Sequence, residues 1–256
     1  MKTSIALAVM ILMVISGCVT TGSKTPTNPK ARLAALYDIQ KPEGNGPFPA
    51  VVAVSGCSGF NTIAGKPVYD DALSDLRNAG FVTIRVDYIG ARNLESCFPG
   101  YLAVSKDEVV ADIFLAIKYL LNSGFVKASS INLLGWSYGG GSVLKALSKM
   151  PDNPGIKIGA VVAYYPDCKA VDKWKVAVPV LVLFGGNDTV APPALCEELF
   201  AGDVSRHIKI EEYPGAYHAF DFHTLPPKTE YQFGTIGYHP ESAEKAWAAV
   251  MKFLVR

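Results

Sequence analysis

The chain has 256 residues, half of them hydrophobic, which is enough for one domain with a substantial core. Its 24 lysines and arginines nearly balance its 23 aspartates and glutamates, and no long run of one sign of charge occurs. That balance argues against nucleic acid as the main ligand.

The first residues have the layout of an export signal. Lys2 precedes an apolar run over residues 5–15, and small residues then lead to Cys18. The apolar run is shorter than a comfortable membrane span. The sequence "ISGC" that ends at Cys18 resembles the lipobox of bacterial lipoproteins, which implies removal of residues 1–17 and lipidation of Cys18. The alternative is a plain signal peptide that happens to contain a cysteine.

The polar stretch that begins at Cys18 is predicted to be a tether. Residues 18–30 contain threonines, a serine and two prolines, a composition typical of flexible linkers. Residues 31–256 are then the folded domain. Val19 stands where an aspartate would favour the inner membrane, so the lipoprotein resemblance implies an outer-membrane location that faces the periplasm.

Apolar segments alternate with amphipathic ones along the rest of the chain. Strands are predicted at residues 50–54, 81–86, 131–135, 159–165, 178–185 and 207–213. Helices are predicted at about residues 67–79, 105–122, 138–149, 192–201 and 240–255. Most strands are apolar throughout, as parallel strands covered on both faces are. We therefore predict an α/β fold with a mostly parallel central sheet flanked by helices, which begins with an antiparallel strand in "LYDIQ".

One serine stands among glycines where a predicted strand meets a predicted helix. In "LLGWSYGGG", Gly135, Ser137 and Gly139 form the pattern G-x-S-x-G. At such a joint this pattern is typical of a nucleophile elbow, in which a strained turn exposes the serine hydroxyl at the carboxyl end of a strand. The alternative is a glycine-rich helix cap without chemistry.

A serine hydroxyl needs a base to become a good nucleophile. Among the four histidines, His218 follows the strand predicted at 207–213 and precedes the last helix, where this architecture places its base. His207 opens that strand, while His223 and His239 lie in polar or proline-rich segments. His218 is therefore the predicted base.

The base in turn needs a carboxylate that orients it. Asp188 follows the carboxyl end of the strand predicted at 178–185 and gives the chain order serine, aspartate, histidine. Asp167, after the preceding strand, is the alternative acid, although a role in shaping its loop suits it better. Asp221 is too close to His218 in sequence to serve easily, and we expect it to bond to nearby backbone.

Two backbone N–H groups are predicted to form an oxyanion hole. One belongs to Tyr138, directly after the serine. The other belongs to Cys57, in the loop "VSGCSGF", where Gly56 and Gly59 let the backbone approach a substrate.

Together these residues and their motifs resemble those of proteins with the α/β-hydrolase fold and, within that fold, those of the dienelactone hydrolase family. The resemblance covers about residues 35–255 and is carried by "SGCSG", "GWSYGG", "GGNDTVAP" and "GAYHAF". It implies hydrolysis of carboxylic esters or lactones by Ser137, His218 and Asp188 through an acyl-enzyme intermediate. We predict no metal or other cofactor.

The sequence departs from the founding enzymes of that family at several positions. They have a cysteine nucleophile, a glutamate where this chain has Gly56, and two arginines that bind the substrate carboxylate. Arg92 matches one of these arginines or is an ordinary surface residue, and "HAFDF" lacks the other. These departures argue against dienelactone itself as the substrate.

Once Cys18 is set aside, four cysteines remain, and an even number in an exported protein suggests disulfides. In the fold that the resemblance implies, Cys57 and Cys97 follow neighbouring strands at the same edge, and Cys168 and Cys196 flank the next region. We predict the pairs Cys57–Cys97 and Cys168–Cys196, with four buried free thiols as the alternative.

Two further functions remain open beside an esterase. One is a peptidase or acyltransferase that uses the same residues, and the other is a non-enzymatic envelope lipoprotein. The expected partners are a small ester or lactone substrate and, through the N-terminal anchor, a membrane. The segment at residues 222–240 is long and contains several aromatic residues and prolines, and it forms either a lid or a rigid surface loop.

Overall fold

The computed structural model describes residues 37–60, 69–97, 103–150, 155–174, 177–201 and 206–255. The predicted signal peptide, the lipidated Cys18 and the tether lie outside the described residues.

Within the described residues, seven strands form one central sheet. They are β1 (Tyr37–Gln40), β2 (Phe48–Val54), β3 (Val82–Val86), β4 (Val126–Trp136), β5 (Ile158–Tyr164), β6 (Val180–Gly185) and β7 (Ile208–Tyr213). The spatial order is β1-β3-β2-β4-β5-β6-β7. Strand β1 is antiparallel to β3, and every other neighbouring pair is parallel. This confirms the predicted α/β architecture and its antiparallel start.

Helices cover both faces of the sheet. They are α1 (Asp70–Asn78), α2 (Lys106–Asn122), α3 (Tyr138–Ser148), α4 (Glu197–Phe200) and α5 (Pro240–Leu254). The segment predicted as one helix at 192–201 is instead a 3-10 turn, Pro193–Cys196, followed by the single turn of α4. Pro192 and Pro193 have no amide hydrogen to donate to a longer helix. None of the helices in the described ranges is long and apolar enough to span a membrane.

Alternate residues of the central strands enter two separate cores. In β2, Val52 and Val54 face the core beneath α2 and α3, whereas Val51 and Ala53 face the core beneath α1 and α5. All four are fully buried, and burial of a valine side chain contributes roughly 1.5–3 kcal/mol. Two covered faces explain why these strands are apolar throughout.

A small hairpin lies within the segment left open as a lid or a rigid loop. Strands β8 (Thr229–Tyr231) and β9 (Gly234–Ile236) pair antiparallel. The N–H of Thr235 donates to Thr189 Oγ1 at 2.9 Å, and the N–H of Gly237 donates to the carbonyl oxygen of His218 at 3.0 Å. These bonds dock the hairpin on two loops at the carboxyl edge of the sheet, which favours the rigid alternative.

Candidate active site

Ser137 forms the joint between β4 and α3 in a strained backbone conformation. Its φ is 52° and its ψ is −115°, a region that costs a residue other than glycine about 1–3 kcal/mol. A Cβ at Gly135 would clash with the carbonyl oxygen of Gly139, and a Cβ at Gly139 would clash with the backbone of Val54 and Ser55. Only glycine at both positions lets strand and helix approach closely enough to form this turn.

Backbone hydrogen bonds hold the turn from both sides. The N–H of Ser137 donates to the carbonyl oxygen of Tyr164 at 2.9 Å. The carbonyl oxygen of Ser137 accepts from Gly141 at 2.9 Å and from Asp167 at 3.1 Å. The loop after β5 therefore holds the strained serine in place.

The structure brings Ser137, His218 and Asp188 into one hydrogen-bonded chain. His218 Nε2 lies 2.9 Å from Ser137 Oγ, and His218 Nδ1 lies 2.7 Å from Asp188 Oδ2. The carboxylate of Asp188 is fully buried, and its other oxygen accepts from the N–H groups of Val190 and Ala191 at 2.9 and 2.8 Å. With a proton on Nδ1, the imidazole donates to Asp188 and presents Nε2 as an acceptor for the serine hydroxyl.

The alternative acid and the other histidines have different surroundings. Asp167 forms an ion pair with the buried Lys106, with Oδ2 and Nζ 2.8 Å apart. Burial lowers the pKa of Lys106, although the attraction of Asp167 opposes this shift. His239 caps α5 by accepting from Ser242 at 3.3 Å, and His223 has an exposed side chain.

Two cavities flank Ser137. The larger, of about 130 Å³, is lined by Gly56, Cys57, Ser58, Gly59, Tyr69, Ser137, Tyr165, Val190, His218, Ala219, Phe222, Tyr231 and Ile236. The smaller, of about 30 Å³, is lined by Cys57, Cys97, Ser137, Tyr138, Asp167, Val190, Ala191 and Phe233. Both expected oxyanion donors lie here, since Cys57 borders both cavities and Tyr138 is the first residue of α3. A Cβ on the neighbouring Gly56 would come within 3.4 Å of the Cβ of Ser137.

Two disulfides brace the loops around the site. Cys57 and Cys97, with Cα atoms 4.9 Å apart, join the loops after β2 and β3. The N–H of Cys97 also donates to the carbonyl oxygen of Cys57 at 2.9 Å. Cys168 and Cys196, with Cα atoms 5.3 Å apart, join the loops after β5 and β6. These are the two pairs predicted from the sequence.

The structure places Arg92 neither at the surface nor in a cavity beside Ser137, which corrects both alternatives considered for it. Its side chain is buried, and its Nη1 donates to Asp112 Oδ2 at 2.8 Å and to the carbonyl oxygen of Tyr88 at 2.9 Å. It lines neither cavity beside Ser137. A buried guanidinium needs a paired carboxylate, and Asp112 supplies one from the buried face of α2. Arg92 therefore joins α2 to the loop after β3 instead of facing a substrate.

The sequence interpretation missed contacts of two residues at the site. The ring of Tyr165 packs against the imidazole of His218, with centroids 4.5 Å apart. Asp221 was expected to bond to nearby backbone; besides a hydrogen bond with its own backbone it accepts from Tyr165 Oη at 2.6 Å and from Trp136 Nε1 at 2.9 Å. Burial raises the pKa of Asp221 to about 6. The consecutive tyrosines that end β5 were the available signal, but nothing in their spacing points to Asp221.

The sequence matches the model of the Dienelactone hydrolase family over residues 37–256. The chain belongs to the dienelactone hydrolase family. This dienelactone hydrolase family member is 26% identical over 243 residues to a protein of Bradyrhizobium sp named "Probable 2-oxo-3-(5-oxofuran-2-ylidene)propanoate lactonase". The matched region is 89% of this chain and 90% of that protein. The family and this relative identify the chain as a carboxylester or lactone hydrolase.

Solved structures share the fold of this dienelactone hydrolase family member. Esterase 2 of Thermogutta terrifontis, phosphorylated by paraoxon, superposes with a TM-score of 0.60 at 18% identity, covering 86% of this chain and 87% of the esterase. Est1E of Butyrivibrio proteoclasticus, with ferulic acid bound, superposes with a TM-score of 0.59 at 17% identity, covering 86% and 93%. At these identities the likeness establishes the fold.

Proposed function

We propose that this hydrolase cleaves carboxylic esters or lactones with Ser137 as nucleophile, His218 as general base and Asp188 as its orienting carboxylate. The observation that carries the proposal is the hydrogen-bonded chain from Asp188 Oδ2 through the imidazole to Ser137 Oγ, with 2.7 and 2.9 Å between the heavy atoms. Those distances allow proton transfer without rearrangement.

In the first half of the reaction, Ser137 Oγ attacks the substrate carbonyl carbon and its proton passes to His218 Nε2. Asp188 stabilises the resulting imidazolium and stays ionised. The two backbone N–H groups that bond its other oxygen hold the carboxylate in place against the imidazole.

The negative charge that develops on the carbonyl oxygen is stabilised by the N–H groups of Cys57 and Tyr138. The loss of one such donor costs about 2.7–4 kcal/mol in a comparable site. The Tyr138 donor lies at the N-terminus of α3, where the helix dipole adds to the effect. The disulfide to Cys97 limits how far the Cys57 donor can move.

The intermediate then collapses into an acyl-enzyme. The bond to the leaving oxygen breaks, and that oxygen takes the proton from His218. An ester releases its alcohol at this stage, whereas an opened lactone keeps its hydroxyl on the acyl chain. Water, deprotonated by His218, attacks the acyl carbon, and Ser137 Oγ leaves with the returned proton to complete the cycle.

A fluorophosphonate probe and a substrate panel test this assignment. The probe should attach to Ser137 with loss of fluoride, and Ser137→Ala should abolish the labelling. p-Nitrophenyl esters of short acyl chains should be hydrolysed, because the two cavities beside Ser137 are small. Labelling that persists in Ser137→Ala, or turnover of peptide anilides in place of esters, would contradict the proposal.

We also infer that the domain is held at the outer membrane, facing the periplasm, by a lipid on Cys18. The export signal and "ISGC" support this location. The two disulfides fit an oxidising compartment.

A further inference from the structure

The carboxylate of Asp221 joins the residue that precedes the nucleophile, Trp136, to the residue that packs against the base, Tyr165. Asp221 lies in the loop after β7, three residues beyond His218. Its Oδ1 accepts from the phenol of Tyr165 at 2.6 Å, and its Oδ2 accepts from the indole of Trp136 at 2.9 Å. These donors come from the ends of β5 and β4, so one side chain connects three loops at the carboxyl edge of the sheet.

Trp136 lies on the nucleophile side of this connection. It is the last residue of β4 and directly precedes Ser137. Its ring is packed between Tyr69 and Tyr164, with centroid distances of 4.1 and 5.9 Å. A fixed indole therefore limits motion of the strand end from which the strained serine projects.

Tyr165 lies on the base side. Its ring contacts the imidazole of His218, and its backbone has a φ of 32°. The N–H of Tyr165 donates to the carbonyl oxygen of Leu183 at 2.7 Å, which fixes the backbone. The phenol bond to Asp221 then fixes the ring in the position where it supports the imidazole.

We propose that Asp221 is a positioning residue, whose carboxylate holds Trp136 beside the nucleophile and Tyr165 against the base so that Ser137 Oγ and His218 Nε2 stay in hydrogen-bonding contact. The inference rests on the proposed function of Ser137 and His218. Asp221 lines neither cavity beside Ser137. It borders a larger open cleft, of about 690 Å³, that Ser137 and His218 do not line, so we place its action on the catalytic pair in its two hydrogen-bonding partners.

The ionised form of Asp221 suits this role. Burial raises its pKa to about 6, although the hydrogen bonds from Tyr165, from its own backbone and from Trp136, and the nearby His218, oppose the shift. It is therefore ionised at neutral pH, as a carboxylate that accepts from two donors should be. Among the described residues, the other titratable groups around it are Tyr165, Tyr164 and Tyr69 on the packed elements, and, lining the larger open cleft, Asp70, Asp71, Asp75, His223, Tyr238 and Glu244.

Asp221→Asn and Tyr165→Phe change the two ends of one hydrogen bond. Asp221→Asn should lower kcat by about 10-fold or more with little change in KM, because the cavities beside Ser137 are untouched. Tyr165→Phe keeps the ring and removes the phenol bond to Asp221, so kcat should again fall with little change in KM.

The chain offers a matched control for each variant. Asp75 also accepts from an indole, that of Trp247 at 2.8 Å, and Tyr213 also donates to a carboxylate, that of Glu211 at 2.6 Å. Asp75→Asn and Tyr213→Phe should therefore leave kcat and KM as in the wild type. If Asp221→Asn behaves like Asp75→Asn, or raises KM as much as it lowers kcat, the positioning role is wrong.

Two further results complete the test. If Asp221→Asn does not fold, Tyr165→Phe decides alone, and a kcat equal to that of Tyr213→Phe overturns the inference. Ser137→Ala, assayed alongside, separates this inference from the proposed function. Activity retained in Ser137→Ala refutes the function itself, whereas its loss together with an unchanged Asp221→Asn refutes only the role of Asp221.

Discussion

The N–H of Asp167 donates to the carbonyl oxygen of Ser137 at 3.1 Å, while the carboxylate of Asp167 faces away to bond Lys106. The aspartate that competes with Asp188 in the sequence thus supports the nucleophile through its backbone N–H, which Asp167→Asn leaves in place. The two aspartates should therefore respond to mutation in opposite ways.

Asp188→Asn should reduce kcat/KM by about 10⁴-fold, because the amide favours the wrong tautomer of His218 and cannot stabilise the imidazolium. Steady-state ester hydrolysis measures this loss. A normal thermal unfolding midpoint in the same variant would show that the loss is chemical. Activity within tenfold of the wild type would remove Asp188 from the mechanism.

Asp167→Asn should show the reverse pattern, with kcat retained and stability lowered. The substitution leaves the buried ammonium of Lys106 without its carboxylate, and such a change typically costs several kcal/mol. Urea unfolding monitored by fluorescence measures the loss. A large loss of kcat in an Asp167→Asn protein that remains stable would identify Asp167, and not Asp188, as the acid.

Ser137→Gly should be inactive and yet more stable than Ser137→Ala. Alanine keeps the strain of a φ of 52°, whereas glycine adopts that conformation freely. The gain, reduced by the greater flexibility of glycine in the unfolded chain, should be about 1 kcal/mol. Paired urea titrations of the two variants measure it. Equal stabilities would mean that the turn stores no strain at this residue.

The two disulfides should differ in their effect on catalysis. Replacement of either pair by alanines should cost roughly 3–4 kcal/mol, given sequence separations of 40 and 28 residues. Only the loss of Cys57–Cys97 should also lower kcat, since that bridge holds a proposed oxyanion donor. Kinetics and unfolding of both double variants make the comparison, and equal kcat values would argue against Cys57 as a donor.

Stability should depend on pH through Asp221. Its pKa of about 6 in the folded protein exceeds its ordinary value of 3.8, so between these values the folded protein binds more protons than the unfolded chain. The contribution is fully present below about pH 4 and is lost as the pH rises through about 6. The unfolding free energy of Asp221→Asn should therefore improve relative to wild type across that range, and a constant difference would refute the shift.

The sequence predicted the framework of the candidate site because its signals are local. A strand, a G-x-S-x-G turn and a helix are adjacent in the chain, and Asp188 and His218 each follow a strand end. The sheet then brings all carboxyl ends to one edge. The predictions agree with the structure for residues whose position follows from the strand or helix next to them in the chain.

The contacts that the sequence did not predict join side chains across distant loops. Asp221 bonds residues 56 and 85 positions earlier in the chain, and Arg92 pairs with Asp112 on a helix whose other buried residues, apart from Lys106, are apolar. Such pairs depend on loop conformations and on the rotation of a helix against the sheet, neither of which a hydrophobic pattern specifies. The hairpin was missed because strands of three residues are too short to show alternation.

That hairpin has a consequence for how substrate preference can change in this chain. Tyr231 and Phe233 lie two residues apart at its tip, and each lines a different one of the two cavities beside Ser137. A single short turn therefore borders both cavities beside the nucleophile. Substitutions at these two neighbouring positions are a route by which the chain can be retuned to new esters while its nucleophile, base and acid stay untouched.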